Sequence, residues 1–124
     1  MDVGTEQRVL RLVGLGLRAR NAVVGVEQVR QAARRGRLRL VVVAPDASHH
    51  SRDKLLPLLF ARGVRVVEGP SASALGAAVG RQATAAVGIT DADLARGVRA
   101  AISGAGERLE QNGRARTRTP GRGR

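Results

Sequence analysis

The chain has 124 residues, a length that suits one compact domain with its own core, and it contains no cysteine. The lack of cysteine excludes a disulfide scaffold, a thiolate metal site and a cysteine nucleophile. The formal net charge is +12, and Lys54 is the only lysine among the 22 basic residues. This excess of arginine predicts a polyanionic partner. Phe60 is the only aromatic residue, which argues against a module that stacks single-stranded bases.

The two ends of the chain carry no pattern of a buried core. Residues 1–6 lack the features of a signal peptide, and no stretch of the chain has the length and hydropathy of a membrane span, so the sequence predicts a cytoplasmic protein. Five of the final eleven residues are arginines, interspersed with glycine and proline. We therefore expect a folded domain over residues 1–103 and a disordered Arg/Gly-rich basic tail over residues 104–124.

In the first half of the chain, apolar residues recur at helical spacing and then form a continuous run. Val9, Val13 and Leu17 share one face of the first segment. Gly36 is typical of a helix end. The run over residues 40–44 is typical of a buried central strand. The predicted elements are a helix over 8–20, a strand over 22–24, a helix over 26–35 and a strand over 40–44.

The second half continues the alternation of helix and strand. The third helix should present Leu55, Leu56, Leu59 and Phe60 to the core and contain Pro57. The last helix should begin with Thr90 as its N-cap and Asp93 three residues on, and end near residue 103. The predicted elements are a helix over 51–62, a strand over 64–67, a helix over 72–79, a strand over 83–89 and this last helix. Such alternation predicts an α/β protein, a three-layer α/β/α sandwich.

Three patterns offer chemistry, and each has a simpler structural explanation. Residues 14–19 match the G-x-G-x-x-A pattern of dinucleotide folds, but they lie within a predicted helix, so close helix packing explains them better. His49 and His50 are adjacent, so their side chains diverge, and no further histidine or cysteine completes a metal site. Asp91 and Asp93 suit a helix cap better than an acid–base pair. We therefore predict no catalytic residue, no metal and no cofactor.

The strongest candidate site begins at Gly25. A glycine before a helix lets a sugar-phosphate backbone approach the free N–H groups at the positive end of that helix. Glu27, Gln28 and Gln31 then offer acceptors and donors to base edges, and Arg34 and the arginines after it add positive charge. The alternative is an ordinary polar helix face.

These segments together resemble the L7Ae/L30e ribosomal protein family, above all its small bacterial L7Ae-like members. The resemblance covers about residues 8–102. It implies an L30e-like fold with a small mixed four-stranded sheet, and a non-catalytic protein that binds kink-turn RNA through tandem sheared G·A pairs. The matching segments are Gly25-Val26-Glu27-Gln28-Val29, the run from Arg39 to Ser48, Gly63-Val64-Arg65-Val66-Val67, Leu75-Gly76-Ala77-Ala78-Val79-Gly80 and the strand that ends in Thr90-Asp91.

The resemblance also implies which residues contact RNA. Family members read the G·A pairs with an Asn-Glu pair and a downstream Lys at the start of the second helix, where this chain has Glu27, Gln28 and Gln31. A second family contact, a loop over the bulged base, corresponds to residues 68–72, and Glu68 there is repulsive to phosphate if it points inward. The predicted RNA-binding residues are Arg18, Asn21, Gly25, Glu27, Gln28, Gln31, Arg34, Arg35, Gly69, Pro70 and Ser71.

Two further classes of function stay open beside RNA binding in the translation machinery, for which the ribosome is a possible setting. The departures at Glu27 and Gln31 suit a protein-interaction module that kept the fold and lost specific RNA affinity. An enzyme or nucleotide-binding α/β domain is the remaining alternative. Binding to a kink-turn RNA, a G·A-disrupted control and a plain duplex distinguishes the three classes.

Overall fold

The computed structural model describes residues 1–113 of the chain, with side chains as far as residue 103. Helices and strands alternate along it as the sequence predicts. The elements are α1 (Val3–Arg18), β1 (Ala22–Val24), α2 (Val26–Arg34), β2 (Leu40–Val43), α3 (His49–Ala61), β3 (Val66–Glu68), α4 (Ala72–Ala78), β4 (Ala86–Ile89) and α5 (Ala92–Gly113).

The four strands form one mixed sheet in the order β1-β4-β2-β3. β4 runs antiparallel to both of its neighbours, whereas β2 and β3 are parallel. The parallel pair is connected by α3, because two parallel strands need a crossover between them. The predicted mixed four-stranded sheet is therefore confirmed.

The central strand β2 divides the core into two layers. Its side chains alternate between the two faces of the sheet. Leu40 and Val42 lie in a cluster with residues of α1, α4 and α5. Val41 and Val43 lie in the other cluster, with residues of α2 and α3. All four side chains are buried, so the continuous apolar run is that of a strand covered on both faces, and the predicted three-layer sandwich is confirmed.

The ends of the first and last helices differ from the predicted ones. α1 begins at Val3 rather than at residue 8, because the Asp2 carboxylate accepts the Thr5 N–H at 2.7 Å and caps it. The cap of α5 is Asp91, which accepts the Leu94 N–H at 2.8 Å, and not Thr90. The Thr90 N–H instead donates to the Asn21 carbonyl and extends the pairing of β1 with β4, so the helix starts one residue later.

α5 also continues past residue 103, where the sequence pattern ended it, to Gly113. Residues 104–113 of the predicted tail therefore belong to this helix. The rest of that predicted segment, residues 114–124, lies outside the described residues.

The core face of α3 is narrower than predicted. Leu55 and Leu59 are fully buried against the sheet, and Leu58 packs beside them. Phe60 is 64% exposed, so its assignment to the core was wrong. The buried stripe follows positions one turn apart, and Phe60 lies about 100° around the helix from Leu59. Pro57 lies within the helix, as predicted.

Candidate nucleic-acid interface

The sheet has two ends, and the strand register decides which loops meet at each. Val24 of β1 pairs with Val87, while Val43 of β2 pairs with both Ala86 and Glu68. The last residues of β1, β2 and β3 therefore lie beside the first residues of β4. Two backbone hydrogen bonds continue the pattern: the Gly25 N–H donates to the Ala86 carbonyl at 2.9 Å, and the Gly69 N–H donates to the Val43 carbonyl at 3.0 Å. We call this end, with the segments after β1, β2 and β3, the Gly25 end.

Gly25 has a backbone conformation that the start of α2 requires. Its φ is 95° and its ψ is 159°, a region that residues with a side chain rarely adopt. A methyl group added at Gly25 would meet no atom within 4 Å, so the space beside it is open. Gly25 supplies no side-chain cap, whereas Asp2, Ser48, Ser71 and Asp91 cap the other four helices. The first N–H groups of α2 thus face an open approach at the positive helix end.

Glu27 in the first turn of α2 is held by two cations. Lys54 Nζ of α3 lies 3.2 Å from one carboxylate oxygen, and Arg30 lies 3.7 Å from the other. The hydrogen bond from Lys54 and its positive charge hold the pKa of Glu27 below the ordinary value. Because an ionised carboxylate only accepts hydrogen bonds, Glu27 can accept one from the amino group of a nucleobase but cannot donate one. Lys54 also compensates the negative charge of Glu27 at this end of α2.

Gln28 and Gln31 extend the polar face of α2. Both are exposed, whereas Val29, Ala32 and Ala33 on the opposite face are buried. Residues three apart lie one above the other on a helix surface, so the two amide groups form a row that leads away from Gly25. Each amide carries both donors and an acceptor and can therefore read a base edge.

The loop over residues 69–71 is built rigidly into the same end. Gly69 and Pro70 are buried, and a Cβ at Gly69 would overlap Val42 Cγ1 in the core. The Ser71 hydroxyl accepts the Ala74 N–H at 3.1 Å and caps α4. The Asp46 carboxylate, in the segment after β2, accepts the Ala72 N–H at 2.8 Å. This loop is therefore fixed both to the core and to its neighbouring loop.

Glu68, which the sequence marked as a source of repulsion, is also paired. Arg52 of α3 lies 3.4 Å from its carboxylate and donates to the carbonyls of Ala44 and Pro45. The guanidinium thus joins the ends of β2 and β3 and compensates the carboxylate.

The other predicted RNA-binding residues lie at the opposite end of the sheet. Arg18 is the last residue of α1, and Asn21 precedes β1 and bonds to Thr90 just after β4. Arg34 and Arg35 end α2, which has nine residues, so they lie about 14 Å from Gly25 along that helix. The predicted set is therefore two groups with Gln31 between them on α2: Gly25, Glu27, Gln28, Gly69, Pro70 and Ser71 at one end, and Arg18, Asn21, Arg34 and Arg35 at the other.

Sequence reasoning missed three residues of the Gly25 end: Lys54, Arg52 and Asp46. Each acts on a partner that is far away along the chain, on Glu27, Glu68 and Ala72 respectively. One signal was available for Lys54, because it is the only lysine in a chain that otherwise uses arginine.

The patterns that offered other chemistry have structural roles. Gly14 and Gly16 are buried in α1, where a Cβ at Gly16 would overlap Leu94 of α5, so this pattern is one of close helix packing. Asp93 pairs with Arg96. Among the described residues, no three His, Asp or Glu side chains are grouped so as to hold a metal ion. None of the described helices has both the length and the apolar character to cross a membrane.

Comparison with known proteins places this chain among relatives of the same fold. Residues 7–98 match the profile of the family described as Ribosomal protein L7Ae/L30e/S12e/Gadd45. A Bacillus halodurans protein of unknown function is 33% identical, with a TM-score of 0.71 over 77% of this chain and 97% of that one. The Giardia lamblia 15.5kD RNA binding protein is 28% identical, with a TM-score of 0.66 over 88% of this chain and 92% of that one.

No curated protein sequence matches the chain. The family profile nevertheless spans every element from α1 into α5, and both structures resemble this chain in fold. The chain therefore belongs to the ribosomal protein L7Ae/L30e/S12e/Gadd45 family.

Proposed function

We propose that this chain binds a folded RNA, of the kink-turn or a related type, at the Gly25 end of its sheet. The observation that carries the proposal is Gly25 itself, whose positive φ opens the start of α2 at the same end of the sheet as the rigid loop of residues 69–71. The N–H groups and the positive helix end attract a phosphate, and the missing side chain lets the RNA backbone come close. Gln28 and Gln31 then donate to the edges of sheared G·A pairs.

The relatives support an RNA ligand over the other classes. The Giardia lamblia neighbour is by its description an RNA binding protein, and the family name is that of ribosomal proteins. On this basis the chain acts without catalysis or cofactor, in the cytoplasm, within the translation machinery. The ribosome or another ribonucleoprotein is the proposed setting.

The test compares three RNAs: a kink-turn, the same RNA with its G·A pairs disrupted, and a perfect duplex. Wild type should prefer the intact kink-turn. The Gln28→Ala variant should lose on the order of 1–3 kcal/mol of kink-turn affinity, which is about 5- to 150-fold, and little affinity for the other two RNAs. The Gln7→Ala variant is a matched control, because Gln7 is exposed on α1 in the other layer.

A second variant pair tests the departures from the family pattern. Glu27→Asn with Gln31→Lys restores the usual residues and should strengthen kink-turn binding if the chain has drifted from that ligand. Glu27→Gln alone should weaken binding if the carboxylate accepts from a base amino group.

The second candidate function is a protein-interaction module of the same fold. It is favoured by Glu27, which stands at the position of a base-reading residue and is already engaged in ion pairs with Lys54 and Arg30. If wild type, Gln28→Ala and the double variant bind the kink-turn RNA equally, the Gly25 end is not an RNA site, and this second function becomes the better one.

A further inference from the structure

The opposite end of the sheet holds a group of six among the twelve arginines of residues 1–103 that form no ion pair. Arg39 and Arg65 precede the parallel strands β2 and β3, where the Val41 N–H donates to the Arg65 carbonyl. The Arg62 guanidinium donates to the Arg34 carbonyl at 3.1 Å, which joins the last turns of α3 and α2. We call this group the arginine end; its members are Arg34, Arg35, Arg37, Arg39, Arg62 and Arg65.

These six arginines are exposed and have no carboxylate partner among the described residues. The four ion pairs among the described residues involve other cations, namely Arg30, Arg52, Lys54 and Arg96. Two carboxylates follow β4 on the other face of the sheet, but Asp91 caps α5 and Asp93 pairs with Arg96. Glu27 and Glu68 lie at the Gly25 end and are paired with other cations there.

Helix capping explains only part of this group. Arg34 lies in the last turn of α2, and Arg62 follows the last residue of α3, where a cation is favoured by the negative helix end. Arg37, Arg39 and Arg65 lie instead in the links before β2 and β3, outside the last turns of α2 and α3, so the helix ends do not account for their positive charges. Like charges gathered at one end of the sheet repel each other unless an anion lies among them, so the arrangement favours an anionic ligand.

We propose that the arginine end is a second RNA-binding surface, which holds the phosphate backbone of an RNA segment separate from the one at the Gly25 end. The guanidinium group binds phosphate in bidentate fashion, and a row of such groups follows a polyanion without reading its sequence. An acidic protein is the less favoured partner. Protein interfaces centre on several large apolar side chains, whereas the last turn of α3 exposes a single one, Phe60. The chain thus bridges two RNA segments, about 14 Å apart along α2.

The test removes four charges from either of two places in the full chain. The cluster variant is Arg35→Gln, Arg37→Gln, Arg39→Gln and Arg65→Gln. The control variant is Arg8→Gln, Arg11→Gln, Arg81→Gln and Arg99→Gln, exposed positions outside both ends. Duplex affinity is measured across a salt series, and thermal unfolding confirms that both variants fold. The cluster variant should lose about tenfold or more in duplex affinity. The slope of its log affinity against log salt concentration should become shallower by about 3, whereas the slope of the control variant should change by less than about 1.

Bridging is measured directly by immobilising the kink-turn RNA and adding protein with a labelled duplex. Wild type and the control variant should retain the duplex on the surface, and the cluster variant should bind the kink-turn without retaining it. Equal losses of duplex affinity in the cluster and control variants would overturn the proposal, since only total charge would then matter. Full retention of RNA binding by the cluster variant would also overturn it and favour an acidic protein as the ligand.

This design separates the two proposals. Gln28→Ala should lose kink-turn preference and keep duplex binding, whereas the cluster variant should do the reverse. If Gln28→Ala changes nothing while the cluster variant loses all RNA binding, the Gly25 end is not an RNA site and the arginine end is.

Discussion

The two ends of the sheet differ in how their charges are arranged. At the Gly25 end the carboxylates of Glu27 and Glu68 are paired with Lys54 and Arg52, and the loops are joined by hydrogen bonds. At the arginine end six guanidinium groups have no carboxylate partner among the described residues. An ordered set of donors and acceptors can select among RNAs, whereas a dense positive surface binds phosphate of any sequence. Net charge therefore does not locate the end that carries specificity.

The largest effect from a single residue should come from Gly25→Ala. Its φ of 95° and ψ of 159° lie in a region that alanine enters at a cost of about 1–3 kcal/mol, so the free energy of unfolding should fall by that amount. The added methyl also occupies the open space beside α2, so kink-turn affinity should fall as well. Chemical denaturation and RNA titration measure the two effects.

Gly36→Ala is the matched control at the arginine end of α2. Gly36 has a φ of 69°, and its substitution should cost about 1–2 kcal/mol of stability. Kink-turn preference should remain. If Gly36→Ala abolished that preference too, the two ends would not be separable in the way proposed.

A smaller effect is expected from Ser71→Ala. The hydroxyl caps α4, and its loss should cost about 1 kcal/mol of stability. Ser48→Ala removes an equivalent cap, with the same 3.1 Å bond, from α3. Both variants should unfold at similar denaturant concentrations, but only Ser71→Ala should weaken kink-turn binding. Equal RNA affinity in the two variants would remove the loop of residues 69–71 from the site.

Lys54→Gln should act on binding more than on stability. An exposed ion pair adds little to stability, so the midpoint of thermal unfolding should change little. Glu27 then loses its nearest cation and repels phosphate, so kink-turn affinity should fall a few-fold at low salt and recover as salt screens the charge. Arg96→Gln, which removes the exposed pair with Asp93, should leave kink-turn affinity unchanged.

The smallest effect concerns the titration of Glu27. Lys54 holds its pKa below the ordinary value, so the carboxylate stays ionised to a lower pH than an unpaired glutamate does. The stabilisation from this pair is complete above the unfolded-state pKa and is lost as pH falls through the lower folded-state pKa. The carboxyl carbon of Glu27, followed by NMR, should titrate at a lower pH in wild type than in Lys54→Gln. Coincident titrations would mean that the pair does not persist in solution.

Local pattern predicted much of the fold and part of the candidate site. The apolar run of β2, the helical spacing in α1 and the glycine before α2 are signals carried by neighbouring residues. Phe60 was misassigned because helical spacing predicts an apolar side of α3 but not which of its residues contact the sheet. Those contacts depend on how α3 lies against the sheet. Thr90 was misassigned as a cap because its N–H bonds to Asn21, a residue far away in the chain.

The order of helices and strands and the excess of arginine follow from side-chain periodicity and composition, which need no knowledge of distant contacts. The antiparallel position of β4 between β1 and β2 depends on tertiary contacts, since strand pairing joins residues that are remote in the chain. That pairing brings Gly25 beside Ala86 and, through β2, to the same end of the sheet as Gly69. Arg34 and Arg35, close to Gly25 in sequence, lie at the other end because the nine residues of α2 separate them.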